Sequence, residues 1–156
     1  MNFLTIADFD IVINRSLLYE VISYPELVNP NSPTPEEQTE INLAESKLTM
    51  AADAAISELS GYLANRYDTS AIFAASGISR NAIIVHKCLD IAVYYLYHIN
   101  SPEAMTELRE KAYDKAIDWC EKVNNSQINL PNLPPLQGEE NNKILFGSNT
   151  KRNHHF

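Results

Sequence analysis

At 156 residues the chain fits one domain on the prior of ~100–200 residues per domain, and it is long enough to bury one sizeable core. Its 45% hydrophobic and 21% charged residues are globular in composition, while 20 Asp and Glu against 12 Lys and Arg leave a formal charge of -8 and a pI near 4.9. That acidity argues against the phosphate grip that dominates nucleic-acid affinity, and against an anionic membrane surface as partner. The longest apolar run, Ile91 to Tyr97, is far short of the ~20 residues that span a bilayer, so no membrane role is expected. Met1 to Asp10 carries acids but no base, unlike a signal peptide, and Cys88 and Cys120 lie in helical patterns rather than in a disulfide framework. Both thiols are expected to be buried and free, with synthesis in a cytosol.

Thr5 with Asp8 three residues on predicts a capping box opening a short helical turn through Ile11 and Ile13, and Ser16 to Tyr24 reads as a second short helix. Pro25, Pro30, Pro33 and Pro35, with Asn29, Asn31 and Ser32, then make a loop. Thr34, Pro35 and Glu37 supply N-cap, first-position proline and capping-box acid for a helix. Its apolar residues recur at three-and-four spacing from Ile41 through Tyr67, which predicts one helix to Asp68, ~50 Å long at 1.5 Å per residue. Gly61 inside it costs ~1 kcal/mol relative to Ala, which predicts a second backbone packed close by.

Asp68 to Gly77 reads as a loop, with Ile78 and Ser79 as staple and N-cap of the next helix. Ala82 to Ile99 is apolar on nearly all sides and is expected to be central. Ser101, Pro102 and Glu103 repeat the start signal, and Met105, Leu108, Ala112, Ala116, Trp119, Cys120 and Val123 predict one buried stripe. After Asn124 come Pro131, Pro134, Pro135 and Gly138, and eight of the sixteen asparagines lie from Asn124 onward, a composition that builds no core. Short apolar clusters return at Ile128 with Leu130, at Ile144, Leu145 and Phe146, and at Phe156. Two readings of this tail stand: an arm whose apolar anchors a partner surface pockets, or a loose tail with incidental hydrophobes. The fold expected is all-α, a small helical bundle over residues 1–130 with one long helix, and an extended C-terminal arm over 131–156.

Catalysis needs a nucleophile, base and orienter that converge, or a metal cluster. His86 and Asp90 share a helix face at i,i+4, yet no further ligand stands in reach, and a partly buried His86 bonded by Asp90 is the expectation. Gly61, Gly77, Gly138 and Gly147 assemble no phosphate loop. Tyr94, Tyr95 and Tyr97 lack the interleaved basic residues of a stacking platform and read as packing. The expectation is a protein that is not an enzyme and takes no cofactor and no metal.

The stretch Gly61-Tyr62-Leu63-Ala64-Asn65-Arg66-Tyr67-Asp68 closing a long helix resembles the signature of the Mu-like bacteriophage head-tail connector, or neck adaptor, family. Further likenesses follow in the same order: Cys88 to Ala92, Tyr113 to Trp119, Ile128-Asn129-Leu130-Pro131, and Phe146-Gly147-Ser148-Asn149 before Lys151-Arg152. The proline-rich insert from Pro25 to Pro35 and the ending Asn153-His154-His155-Phe156 depart from the family pattern. The resemblance implies an all-α virion protein, made in the host bacterial cytoplasm and placed at the head-tail junction. There it would form a homo-oligomeric ring below the portal protein, contact other neck or tail proteins, and let DNA pass without specific binding. It implies arm contacts through Ile144, Leu145, Phe146, Arg152 and Phe156, and a scaffold of Gly61, Tyr62, Leu63, Arg66 and Tyr67, with Arg66 bonding Asp68 or a helix C-terminus.

Residues 1–60 hold 10 acids and 2 bases, a net of -8; residues 61–137 hold 8 and 7; residues 138–156 hold 2 and 3. Around such a ring, Glu36, Glu37, Glu40 and Glu45 facing the channel would repel DNA and keep it from sticking. The same acidity carries an alternative, a small helical regulator that mimics nucleic-acid charge and binds a basic partner protein.

Overall fold

The most apolar segment of the chain becomes the axis of the fold. The computed structural model describes residues 3–26 and 31–136, and over these it is all-α: α1 (Ile6–Val12), α2 (Arg15–Ile22), α3 (Pro35–Leu63), α4 (Thr69–Ala74), α5 (Ala82–Asn100) and α6 (Glu107–Asn124), with 3-10 turns at Gly77–Ser79 and Pro102–Ala104. By length and composition alone α5 could cross a membrane. Here it packs on α3 and α6 most extensively and on α1 and α2 as well, burying Ile84, Cys88, Leu89, Ile91, Ala92, Val93, Leu96 and Tyr97. Burial pushes the thiols of Cys88 and Cys120 up to about 12, and both are free. Neither is a nucleophile at neutral pH.

Thr34 caps α3 as its sequence requires, its hydroxyl accepting from Glu37 N–H at 3.2 Å while the Glu37 carboxylate accepts from Thr34 N–H at 2.6 Å. The buried stripe is Ile41, Ala44, Leu48, Ala51, Ala52, Ala55, Leu59 and Leu63, and its four alanines let the α5 backbone come close. The helix ends at Leu63 rather than Asp68, so its 29 residues span ~44 Å. The Arg66 and Tyr67 N–H groups share the Leu63 carbonyl in a final tightened turn, and Tyr67 then extends to pair with Pro135. Gly61 does not admit a neighbouring backbone of its own chain: it is exposed, and a Cβ there would meet nothing within 4 Å.

The capping box at Thr5 forms, and its acid is shared. Asp8 accepts the Thr5 N–H and hydroxyl, both at 2.7 Å, and is gripped in bidentate fashion by Arg80 at 2.6 and 3.0 Å; Arg80 also donates to the Phe3 carbonyl at 2.6 Å. Burial alone would raise the Asp8 carboxyl, but the bonds from Arg80 and Thr5 outweigh it and hold it below the usual range. Asn14 caps α2, which ends at Ile22 because Ser23 adopts the left-handed conformation at φ 58°.

Between α3 and α5 the expected loop contains α4, capped by the Asp68 carboxylate on Ala71 N–H at 3.0 Å. Ile72 is buried and Phe73 sets its ring edge on Phe3 at 4.9 Å, which explains why the segment folds back. Ile78 is fully exposed and staples nothing; the cap of α5 is Asn81, accepting from Ile83 and Ile84 N–H. Ser101 and Pro102 open only a 3-10 turn, and α6 begins at Glu107 after Thr106. Arg109 accounts for the delay: its guanidinium lies 3.7 Å over the Tyr97 ring and binds the Ala104 carbonyl left open by the turn. Leu108 is consequently 79% exposed and outside the stripe predicted for it.

Two stability outcomes follow from this packing. Leu96→Ala, at a fully buried site, is expected to cost about 2–5 kcal/mol in urea unfolding, against a change within ~0.5 kcal/mol for the exposed Ile78→Ala. Arg80→Met is expected to cost about 1.5–3 kcal/mol at neutral pH. Because the native Asp8 carboxyl is depressed, that contribution is complete above the unfolded pKa of ~3.9 and is lost as pH falls through the lower native value. The gap between the two proteins should therefore narrow in strong acid to the part carried by the Arg80 bonds to the Phe3 and Gly77 carbonyls; a gap that did not change with pH would contradict the assignment.

Candidate assembly site at the C-terminal exit

Polypeptide leaving α6 must turn and find a path along the body, and Ser126 starts the turn in the left-handed conformation at φ 60°. Ser126 N–H bonds the Val123 carbonyl at 3.1 Å and Gln127 N–H the Lys122 carbonyl at 2.9 Å, a Schellman closure with serine where glycine is usual. The end of α3 receives it. Arg66 donates to the Val123 carbonyl at 2.6 Å, the Ile128 carbonyl at 2.8 Å and the Asn129 Oδ1 at 3.3 Å. A guanidinium at the C-terminus of α6 also meets the negative end of the helix dipole. Of the two partners expected for Arg66, the helix C-terminus is the one it takes; Asp68 is occupied in capping α4.

Tyr67 completes the clasp. Its hydroxyl accepts from the buried Leu130 N–H at 2.9 Å and donates to Asn129 Oδ1 at 3.1 Å, with Arg66 5.4 Å from its ring centroid. Farther out, Asp68 N–H donates to the Pro134 carbonyl at 3.0 Å and Leu136 N–H to the Arg66 carbonyl at 3.3 Å. Leu130 and Leu133 are buried in the core cluster, so residues 128–136 are part of the packed body. The predicted scaffold is thereby divided: Leu63 is core, Tyr62 packs against the core, Gly61 is exposed, and Arg66 and Tyr67 hold the departing chain.

Ile144, Leu145, Phe146, Arg152 and Phe156 lie outside the described residues. The acids of α3 are described. At 100° per residue Glu36 and Glu40 stand about 40° apart around the helix, while Glu45 lies about 140° beyond Glu40 on the opposite flank of the buried stripe. Glu37 is tied into the capping box. The four therefore do not share one face.

Sequence reading missed a polar pair inside the bundle: Glu58 accepts the hydroxyls of Tyr95 and Tyr113, each at 3.0 Å, and Tyr94 stacks on Tyr113 at 4.1 Å. Burial first, then these bonds, raise both tyrosines. Three tyrosines within four residues were the visible signal, and packing is their use. His86 is largely exposed instead of partly buried, 3.8 Å from Asp90, because α5 turns it toward solvent; Lys87 stands at 3.7 Å from the same acid. Burial raises the Asp90 carboxyl, with His86 and Lys87 opposing. Among the described residues no three metal-binding side chains converge.

The family model described as Bacteriophage Mu, Gp36 matches residues 13–143 of the chain. No match was found among curated proteins or among solved structures.

The clasp makes a direct prediction. Tyr67→Phe keeps the ring but leaves the buried Leu130 N–H without its acceptor, at an expected cost of about 1–3 kcal/mol. Hydrogen exchange at the Leu130 and Leu136 amides should accelerate while the middle of α3 stays protected; uniform loss over the whole chain would mean that the hydroxyl has no local role.

Proposed function

Because this chain belongs to the bacteriophage Mu Gp36 family, and so is a phage protein, we propose that it is a structural virion component that forms a ring at the head-tail junction. In this reading it docks below the portal, joins head to tail and lines the passage for DNA, without catalysis, cofactor or membrane. The observation that carries it is the clasp. Arg66 and Tyr67 fix the exit through Leu136 on the body, and beyond it the sequence runs for 20 more residues with apolar anchors at Ile144, Leu145, Phe146 and Phe156. A fixed departure point aims such an arm at a neighbouring copy, the portal or a tail protein.

The helix faces narrow the proposed channel lining. Glu36 and Glu40 share a side of α3 and can repel DNA together, whereas Glu45 points elsewhere when they do. The surplus of acids in residues 1–60 also favours a second reading, a regulator that binds a basic partner protein. Deleting residues 138–156 separates the two. The connector reading expects a folded protein and particles that are tailless or leak DNA; fully infectious particles would contradict it, and retained capture of a basic protein by the deleted form would favour the regulator.

A further inference from the structure

Besides its buried stripe, α3 carries a second face. At 100° per residue Met50, Ala54, Ser57 and Gly61 all fall within about 40° of Leu43, and Leu43 lies about 140° around the helix from the buried Leu48. Among the described residues nothing covers this face: Leu43 is 62% and Met50 64% exposed, and a Cβ on Gly61 would meet nothing within 4 Å. A mid-helix glycine weakens a helix, and the packing of this chain makes no use of it; a backbone arriving from outside would. The one cation of α3, Lys47, is folded back onto the Ile22 carbonyl at 2.9 Å and the Ser23 hydroxyl at 3.2 Å. Acids edge the face instead, Glu40 about 60° to one flank and Asp53 about 80° to the other.

A different side of the body carries a groove. Val85 and Leu89 form its floor, Ile11, Val12 and Ile78 one wall, and Leu108 the far end, in two adjoining clefts of about 340 and 250 Å³ that share Val12. Ile11 is 80% exposed, Ile78 fully, and Leu108 79%. Leu89 lies about 120° around α5 from Tyr95, whose hydroxyl reaches Glu58 on α3, so the groove and the α3 contact occupy different faces of α5. The charged groups lining the groove are His86 and Arg109 against Asp90, and Arg80, which is paired with Asp8. On a chain of net charge -8 this surface therefore has no acidic surplus.

We propose that the groove seats α3 of a second copy of the chain, with Leu43 and Met50 entering one cleft each and Gly61 admitting the neighbour's backbone. The inference rests on the ring reading and deepens it by naming the two surfaces that meet. Leu43 and Met50 stand ~10 Å apart along the helix at 1.5 Å per residue, two large apolar side chains for two clefts side by side. The acidic flanks of α3 meet His86 and Arg109 there rather than further acids. Because ridge and groove belong to different faces of one body, the contact is a helix in a groove that repeats from copy to copy, the heterologous kind that closes a ring.

Cysteine cross-linking between full-length copies tests this. Met50→Cys protein is mixed at high concentration with Ile78→Cys or with Leu108→Cys protein, one for each direction in which the helix can lie, and oxidised; the buried Cys88 and Cys120 do not compete. The expected result is a mixed disulfide dimer, with at least one of the two, in several-fold higher yield than from Met50→Cys with Ile99→Cys, Ile99 being exposed outside the groove. Adding Gly61→Met to the Met50→Cys chain, where the open space around the Cβ lets it fold, is expected to cut that yield several-fold. Equal yields with Ile78→Cys, Leu108→Cys and Ile99→Cys would overturn the groove, and a yield unmoved by Gly61→Met would overturn the close approach. A Met50→Cys homodimer that predominates in the mixtures would replace the groove with a second α3. A yield that rises above background only after residues 138–156 are deleted would give the groove to the chain's own tail, and so overturn the proposal. The cross-link reads contact between copies wherever the protein works, so it can fail while the connector reading stands, and can form while that reading fails.

Discussion

Arg66 does for this chain what no apolar contact could. A helix C-terminus leaves carbonyls without intrahelical partners, and the segment that follows α6 adds more as it turns through Ser126. One guanidinium, delivered from the end of a different helix, satisfies Val123 and Ile128 together and steadies Asn129. Tyr67, next in sequence, then takes the Leu130 amide. Two adjacent residues thus join the ends of α3 and α6 and choose the line along which residues 128–136 run. Remove that junction and α6 is still apolar on one face, but the direction in which the chain departs is no longer specified.

The early stop of α3 follows from the same constraint. Past Leu63 the chain leaves the helix, and there Arg66 reaches the end of α6 and Tyr67 the segment beyond it. The periodicity of apolar residues could not show this, since Leu63 and Tyr67 are four apart and both buried, as in a helix. What was legible was two helix starts where side-chain caps are local: Thr5 with Asp8 for α1, and Thr34 with Glu37 for α3. The central position of α5 and the buried free cysteines were legible too, because they depend only on which residues are apolar.

The misread places were those settled at a distance. Ser101 and Pro102 carry a proper start signal, yet Arg109 stacked on Tyr97 and bonded to Ala104 holds a 3-10 turn there and moves the helix start to Glu107. Arg80 finds Asp8 across 72 residues, and Glu58 finds Tyr113 across 55. Such pairings have no spacing to read. For the candidate site, the residues of the clasp stood out by resemblance while their partners on the far strand of chain did not, and Gly61 was assigned a close contact that the structure does not contain.

Charge and shape meet in one picture of the protein at work: an acidic α3 flank, a rigid body around α5, and an exit fixed by Arg66 and Tyr67. Its central claim is a position, a ring at the head-tail junction, and position can be seen directly. Electron microscopy of phage particles carrying an electron-dense label on this protein is the most direct measurement. The account predicts label at a single vertex, between the portal and the tail; label distributed over the capsid shell or along the tail would contradict it.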